Sequence, residues 1–327
     1  MGLRDMRRPS DRAQQACIVG IGQTQFTKWG GITERSEFQL ACEAVIAAAE
    51  DAGLSCPDID GFASYANDAN ESSIMQVALG SKQVRFASMA WGGGGACAAV
   101  AHAAAAVSTG LAGRNPNAVM RERPLTLERY FSSRMIADPL RLYDCCLESD
   151  GACAVIVTTL ERAADLAGVA VPILAAGQGS EAGWGTGALG GFNMPADVYC
   201  SANSRTLARE LYARAGVGPS EINVAQLYDD FTGMVLMSLE DFGFCAAGEG
   251  GPFAAAGRIG WPDGSLPINT SGGNLAEAYI HGFNLVLEGV RQMRGASTSQ
   301  VTDAQTCLVT GGPAVGPTSA LILAKVF

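Results

Sequence analysis

The chain has 327 residues, of which 48% are apolar and 17% charged, with a net charge of −10 at pH 7 and a pI near 4.7. That length can bury one large core or two ordinary ones. An acidic balance excludes general nucleic-acid binding, which needs a basic face, and no apolar run reaches the roughly 18 residues of a membrane span.

The opening segment, Met1 to Ser10, lacks the apolar stretch of a secretion signal. Ten cysteines without such a signal fit reduced thiols in a cytoplasmic protein. No two of them form a Cys-x-x-Cys pair and the chain has only two histidines, so no metal site is expected. Gly20-Ile21-Gly22 lacks the third glycine of a dinucleotide fingerprint.

An amphipathic helix follows, with Phe38, Ala41, Val45 and Ala49 at helical spacing and Gly53 at its C-terminus. Pro57-Asp58-Ile59-Asp60 leads into the strand-like Phe62-Ala63-Ser64-Tyr65. A further extended segment from Val84 runs into the glycines 92–95 and then an alanine-rich stretch, Ala96 to Val107, expected as a buried helix. Arginines 114, 121, 123, 129, 134 and 141 crowd the segment 111–148. A solvated or subunit-facing surface and a grip on coenzyme A phosphates are both open readings there. Ala154 to Val157 reads as a strand.

The order then begins again. Ala215-Gly216, Ile222 and Tyr228 stand 163 positions after Ala52-Gly53, Ile59 and Tyr65. A helix with Leu207, Leu211 and Ala215 on one face precedes them, and Leu266 to Ser271 runs into Gly272-Gly273 as Val84 runs into its glycines. Ala320 to Leu323 repeats the closing strand. Alternating helices and short β-rich segments in two copies predict an α/β fold of two duplicated βα halves, 1–165 and 166–327. A glycine-rich turn that opens a helix directs backbone N–H groups into the space between the halves, where a developing oxyanion would be held.

Two motifs give this outline a family. Leu227-Tyr228-Asp229-Asp230-Phe231 and Gly272-Gly273-Asn274-Leu275-Ala276-Glu277-Ala278-Tyr279-Ile280-His281-Gly282 sit where the thiolase superfamily carries Asn-Glu-Ala-Phe and Gly-Gly-x5-His-Pro. The resemblance covers nearly the whole chain and implies central helices sandwiched between sheets. Matched residue by residue, Gly93 takes the place of the nucleophilic cysteine, Tyr228 of the asparagine, Tyr279 of the histidine and Val309 of the second cysteine. Cys97 and Cys307 lie out of register and read as core fillers. Condensation through an acyl-cysteine is therefore not expected.

The substituted pattern resembles the lipid-transfer-protein branch of thiolase-like enzymes, which includes retro-aldolases of bacterial steroid side-chain degradation. The resemblance implies cleavage of a bulky β-hydroxyacyl-CoA to a ketone and a shorter acyl-CoA, propionyl-CoA in the steroid case. It also implies Tyr228 and Tyr279 as acid and base, a thiolase-type homodimer, and a small OB-fold and zinc-ribbon partner completing an α2β2 assembly. Coenzyme A enters only as part of the substrate, and the chemistry needs no separate cofactor. An ordinary tyrosine has a pKa of about 10, so the base needs help from neighbours or a short proton relay. His281, Asp229 and Asp230 are the candidate helpers, and either tyrosine can take either role on sequence grounds. Backbone N–H groups at Gly93 and Gly312 are candidates for the thioester oxygen.

One departure concerns length. Family members continue for several tens of residues after the position of Ala112, whereas here the chain passes at once to Asn115. Either the loop is absent or a stretch lies outside this numbering. The alternative to an aldolase is a non-catalytic thiolase-like subunit that binds acyl chains or scaffolds a partner.

Overall fold

The computed structural model describes residues 15–65, 70–82, 84–90, 96–97, 99–100, 127–180, 201, 203–312 and 317–326. Gly93 and its neighbouring glycines, most of the Ala96 to Val107 stretch, arginines 114, 121 and 123, and the join after Ala112 lie outside these residues.

The N-terminal part runs β1 (Ala16–Gln23), α1 (Glu37–Asp51), β2 (Gly61–Tyr65), β3 (Phe86–Ala90) and β4 (Cys153–Thr159). The C-terminal part runs β5 (Val171–Gly179), α2 (Arg205–Ala215), β6 (Val224–Gln226), α3 (Thr232–Asp241), α4 (Gly273–Ala276), α5 (Phe283–Arg294), β7 (Thr306–Gly311) and β8 (Thr318–Ala324). Helices α1 and α2 both give way to a left-handed glycine, Gly53 and Gly216. Each is followed by a short 3-10 turn, Cys56–Asp58 and Pro219–Glu221, and then by β2 or β6. The helix, glycine, turn and strand repeated in the sequence thus recur in the structure.

Six strands from both parts form one sheet in the order β6-β7-β8-β5-β1-β4. Between its fourth and fifth strands, β5 and β1, lies a short antiparallel seam, Cys17 opposite Pro172 and Ile18 opposite Val171. Strands β2 and β3 form a separate parallel pair, and Ala225 of β6 makes the matching parallel bridge to Ile268.

Strands β7 and β8 are buried along their whole length, as expected where both sheet faces are covered. Period-two alternation sorts their side chains. Cys307, Val309, Leu321 and Leu323 pack with Leu285, Val286, Leu287, Val290 and Met293 of α5, and Cys97 and Val100 join this core. Leu308, Ala320 and Ile322 face the other way, onto Leu207, Ala208 and Leu211 of α2. Helix α5 covers that face of the sheet, and its first residue, Phe283, lies four positions after Tyr279 in the chain.

Helix α1 differs from its sequence-based reading. Ser36 and Gln39 form a capping box at its start, but of the expected stripe Phe38, Ala41, Val45 and Ala49 only Ala49 is buried, alongside Leu40, Ala44 and Ala48. The reason lies in β1. A Cβ on Gly20 would stand 2.0 Å from the Ala48 carbonyl oxygen, and one on Gly22 would stand 2.1 Å from that of Ala44. The helix backbone lies directly on the strand, so small side chains rather than the most apolar ones choose the contact face. Gly20-Ile21-Gly22 is thus a packing motif.

Among the described residues no helix is long and apolar enough to cross a membrane, and the nine described cysteines are all free.

Candidate active site

The chain leaves β6 as Leu227-Tyr228-Asp229-Asp230. The Leu227 N–H donates to Asn269 Oδ1 at 2.7 Å and the Tyr228 N–H to Thr310 Oγ1 of β7 at 2.9 Å. Tyr228 is only 3% exposed. Tyr279 lies beyond α4, where its N–H donates to Ser149 Oγ at 3.2 Å. These anchors bring two phenols that are 51 positions apart to a hydroxyl–hydroxyl distance of 2.9 Å. Their rings meet edge to face, 6.3 Å between centroids.

Burial raises the pKa of both phenols. Tyr228 is the deeper and lies far above the ordinary range, pushed first by burial and then by Tyr279 and Asp230. Tyr279 is pushed up to about 12, again by burial, with the hydrogen bond from Tyr228 pulling the other way. Both are neutral at physiological pH, and either hydroxyl can donate to the other across the contact.

His281 closes a third side. Its ring centroid is 5.4 Å from that of Tyr279, with the planes tilted by 33°, and 6.4 Å from that of Tyr228. The contact is ring against ring. Burial lowers the imidazole pKa, so the ring is neutral at pH 7 and brings no positive charge to a phenolate. Its backbone is left-handed at φ +50°, a conformation that costs a non-glycine residue about 1–3 kcal/mol. Gly282 follows at φ +79°, and a Cβ there would stand 2.6 Å from Tyr228 Cδ2 and 2.7 Å from Cε2. The turn thus holds the Tyr228 ring against bare backbone.

The two aspartates divide. Asp229 is 2% exposed, and its carboxylate accepts the N–H of Asn274 at 2.8 Å and that of Leu275 at 3.4 Å. A Cβ on Gly273 would stand 2.2 Å from Asp229 Oδ2. The sequence-based expectation of a substrate oxyanion at this glycine turn is therefore corrected: a carboxylate of the chain itself occupies the N–H groups. Asp229 is correspondingly a clamp between the two tyrosine loops rather than a helper at the phenols. Burial still pushes its pKa up to about 7. Asp230 is raised to about 6, also by burial, and its charge raises both phenols. It favours neutral tyrosines and opposes a phenolate.

The segment Cys145 to Ser149 laces these loops together. The Cys146 N–H donates to the Asp230 carbonyl at 2.8 Å, and the Leu147 N–H to that of Asn274 at 3.1 Å. Burial, with Asp230 and Asp229 adding to it, lifts the Cys146 thiol to about 12, so it is no thiolate nucleophile. Cys97 and Cys307 are fully buried and burial raises both, which makes them core fillers. Gly312, just past β7, is buried and left-handed at φ +60°. Arg129 donates to Tyr143 Oη at 3.0 Å and Arg141 to the Ser133 carbonyl at 2.8 Å, so these two arginines bind their own segment together.

Residues 192–325 match the family model "Thiolase C-terminal domain-like". A 17-hydroxy-3-oxo-4-pregnene-20-carboxyl-CoA lyase of Mycobacterium tuberculosis is 37% identical over 389 positions, covering 94% of this chain and 99% of the relative. A steroid side-chain-cleaving aldolase of Thermomonospora curvata is 36% identical over 388 positions, covering 94% of this chain and 97% of its own. A solved structure described as "Ltp2-ChsH2(DUF35) aldolase" superposes with a TM-score of 0.88 at 35% identity, over 96% of this chain and 98% of the other.

The chain belongs to the thiolase-like aldolase family. The 389 positions of the first alignment exceed the 327 residues of this chain, so at least 62 residues of that relative have no counterpart here. That agrees with an internal stretch that the family carries and this chain lacks.

Three residues that serve the site in this family member were not singled out from sequence. Thr310 and Ser149 anchor the tyrosine backbones, and a hydroxyl that accepts a backbone N–H leaves no sequence signal. Tyr65 does leave one. It occupies the position that duplicates Tyr228, and its ring lies 4.5 Å from His281.

Behind Tyr279, Glu277 is 1% exposed and accepts Asn284 Nδ2 at 3.1 Å. Burial pushes its pKa up to about 8, and Glu288 adds to the shift. Because the folded value lies above the unfolded one, its contribution to stability is complete below about pH 4.5 and is lost as pH rises through 8. Glu277→Gln, which cannot ionise, should be more stable than the parent at pH 9 by on the order of a few kcal/mol and about equal at pH 5. Urea unfolding at the two pH values measures this, and parallel curves for parent and variant would contradict it.

Proposed function

We propose that this protein cleaves the Cα–Cβ bond of a bulky, steroid-type β-hydroxyacyl-CoA, releasing a ketone and a short acyl-CoA such as propionyl-CoA. The observation that carries the reading is the 2.9 Å contact between the Tyr228 and Tyr279 hydroxyls. It is supported by relatives that are themselves described as a steroid acyl-CoA lyase and a steroid side-chain-cleaving aldolase.

The two phenols act as a relay. The β-hydroxyl proton passes to the Tyr279 oxygen while the Cα–Cβ electron pair becomes the thioester enolate and the Cβ–O bond becomes a carbonyl. Tyr279 hands its own proton across the short contact to Tyr228, and the Tyr228 proton goes to the α-carbon. Tyr279 is thus the base and Tyr228 the acid, and the pair ends in the protonation state in which it began. No electrons are gained or lost overall, so no redox cofactor is required. Neutral phenols suit this route, which explains why burial and Asp230 holding both pKa values high is no obstacle. The backbone N–H of Gly312 supplies the enolate oxygen with a donor. His281 supports the site as a neutral ring.

The assembly is read in the same way. The solved neighbour pairs an aldolase with a DUF35 protein, and we assign this chain a comparable small partner, with an OB-fold and zinc ribbon, on a thiolase-type homodimer in the cytoplasm.

The test is incubation with 17-hydroxy-3-oxo-4-pregnene-20-carboxyl-CoA and simpler β-hydroxyacyl-CoA esters, with and without a co-expressed DUF35 protein, and mass detection of products. A 17-oxo steroid and propionyl-CoA are expected in equal amounts. Their absence with every ester, in the presence of the partner, overturns the reading. Since both phenols titrate at or beyond about 12, kcat between about pH 6.5 and 9 should change by far less than tenfold per pH unit. A tenfold rise per pH unit would instead indicate a free phenolate base.

A further inference from the structure

We infer that Tyr65 is a positioning residue for the catalytic pair, acting through a three-ring stack that runs from Tyr65 through His281 to Tyr279. This rests on the aldolase reading above and adds to it a residue from the other half of the duplicated chain.

Tyr65 ends β2, where it is half-buried. Its ring centroid lies 4.5 Å from that of His281 with planes tilted by 36°, and His281 continues to Tyr279 at 5.4 Å and 33°. His281 thus touches a tyrosine ring from each half of the chain, Tyr65 and Tyr279. Separations of 4.5 to 7 Å are those at which aromatic pairs attract beyond simple burial.

Three tyrosine rings surround the His281 imidazole. The residue lies on a left-handed backbone at φ +50°, and the nearest of its three ring partners, at 4.5 Å, fixes where the imidazole rests. Tyr65 is that partner. The groups around the imidazole are Tyr65, Tyr279 and Tyr228, all phenols, and burial among them keeps the imidazole neutral. By seating the imidazole, Tyr65 sets where the Tyr279 ring rests and with it the hydroxyl contact of 2.9 Å. The duplication explains the placement. Tyr65 ends β2 and Tyr228 lies two residues past the equivalent strand β6, so each copy contributes one tyrosine, one to the relay and one to its support.

The test uses the full chain with histidine 13C-labelled at Cε1. Only two histidines are present, His102 and His281, and a His102→Gln variant assigns the signals. In the parent, the His281 signal should titrate below the ordinary histidine range. Tyr65→Leu, or Tyr65→Met should the leucine variant fail to fold, should move that midpoint up toward the ordinary value. The same variant should lower kcat by about tenfold or more with KM changed by less than about threefold, the pattern of a displaced catalytic group. Tyr65→Phe, which keeps the ring, should restore both readouts to near parental values. An unchanged His281 titration and kcat in folded Tyr65→Leu overturns the inference, and so does a Tyr65→Phe variant as impaired as Tyr65→Leu. The titration reports on the stack even if no β-hydroxyacyl-CoA is turned over, so failure of the aldolase reading is seen separately.

Discussion

Tyr279→Phe should lower kcat by about 10²–10⁴-fold while leaving the protein folded. The range is that of a general acid–base group removed from a transition state. The substitution deletes the oxygen that bonds to Tyr228 at 2.9 Å, so the β-hydroxyl proton has no acceptor and Tyr228 no donor. Stability should change little. Tyr279 is only partly buried, its backbone anchor to Ser149 is untouched, and the ring still fills its place beside His281. The loss should appear in kcat and kcat/KM together, because an interaction made only in the transition state is missing. A variant that retained parental kcat, or that raised KM alone, would show that the hydroxyl serves binding and not chemistry.

Gly282→Ala should damage both stability and activity. Its φ of +79° is left-handed, and the added Cβ would stand 2.6 Å from the Tyr228 ring. The backbone term is about 1–2 kcal/mol and overpacking adds about 1–3 kcal/mol. The chain can relieve the clash only by moving Tyr228, which is held by Thr310 behind it, or by lifting the His281-Gly282 turn off the phenol pair. Either movement opens the relay, and a shift near 1 Å costs about 10²-fold in rate. Thermal unfolding and kcat measured on one preparation check both parts. A variant as stable and as active as the parent would mean that the turn does not seat the ring.

Much of this site is legible in the sequence because substitution within a known frame is itself a signal. Tyrosines at two positions that converge in the thiolase frame are expected to meet, and Tyr228 and Tyr279 do. The paired glycines Gly53 and Gly216 and the 163-residue shift likewise carry over to the order of helix, turn and strand. Tertiary contact decides the rest. The buried face of α1 is set by Gly20 and Gly22 on another element, so an apolar stripe misleads by one position. Asp229 looks like a partner for its neighbour Tyr228, yet its carboxylate turns to Asn274, 45 positions away, because N–H groups at a glycine turn outcompete a neutral phenol for a buried anion. Tyr65 carries a sequence signal as the duplicate of Tyr228, but its role requires knowing that β2 ends beside His281.

The account stands on the two phenols acting as one unit, and a double-mutant cycle tests that most directly. Tyr228→Phe, Tyr279→Phe and the double variant are assayed for single-turnover cleavage of one β-hydroxyacyl-CoA. A relay predicts that the double variant is about as slow as the slower single one, since breaking either link breaks the path. Losses that multiply in the double variant, or a single variant within about tenfold of the parent, would mean that the tyrosines act separately and that no proton passes between them.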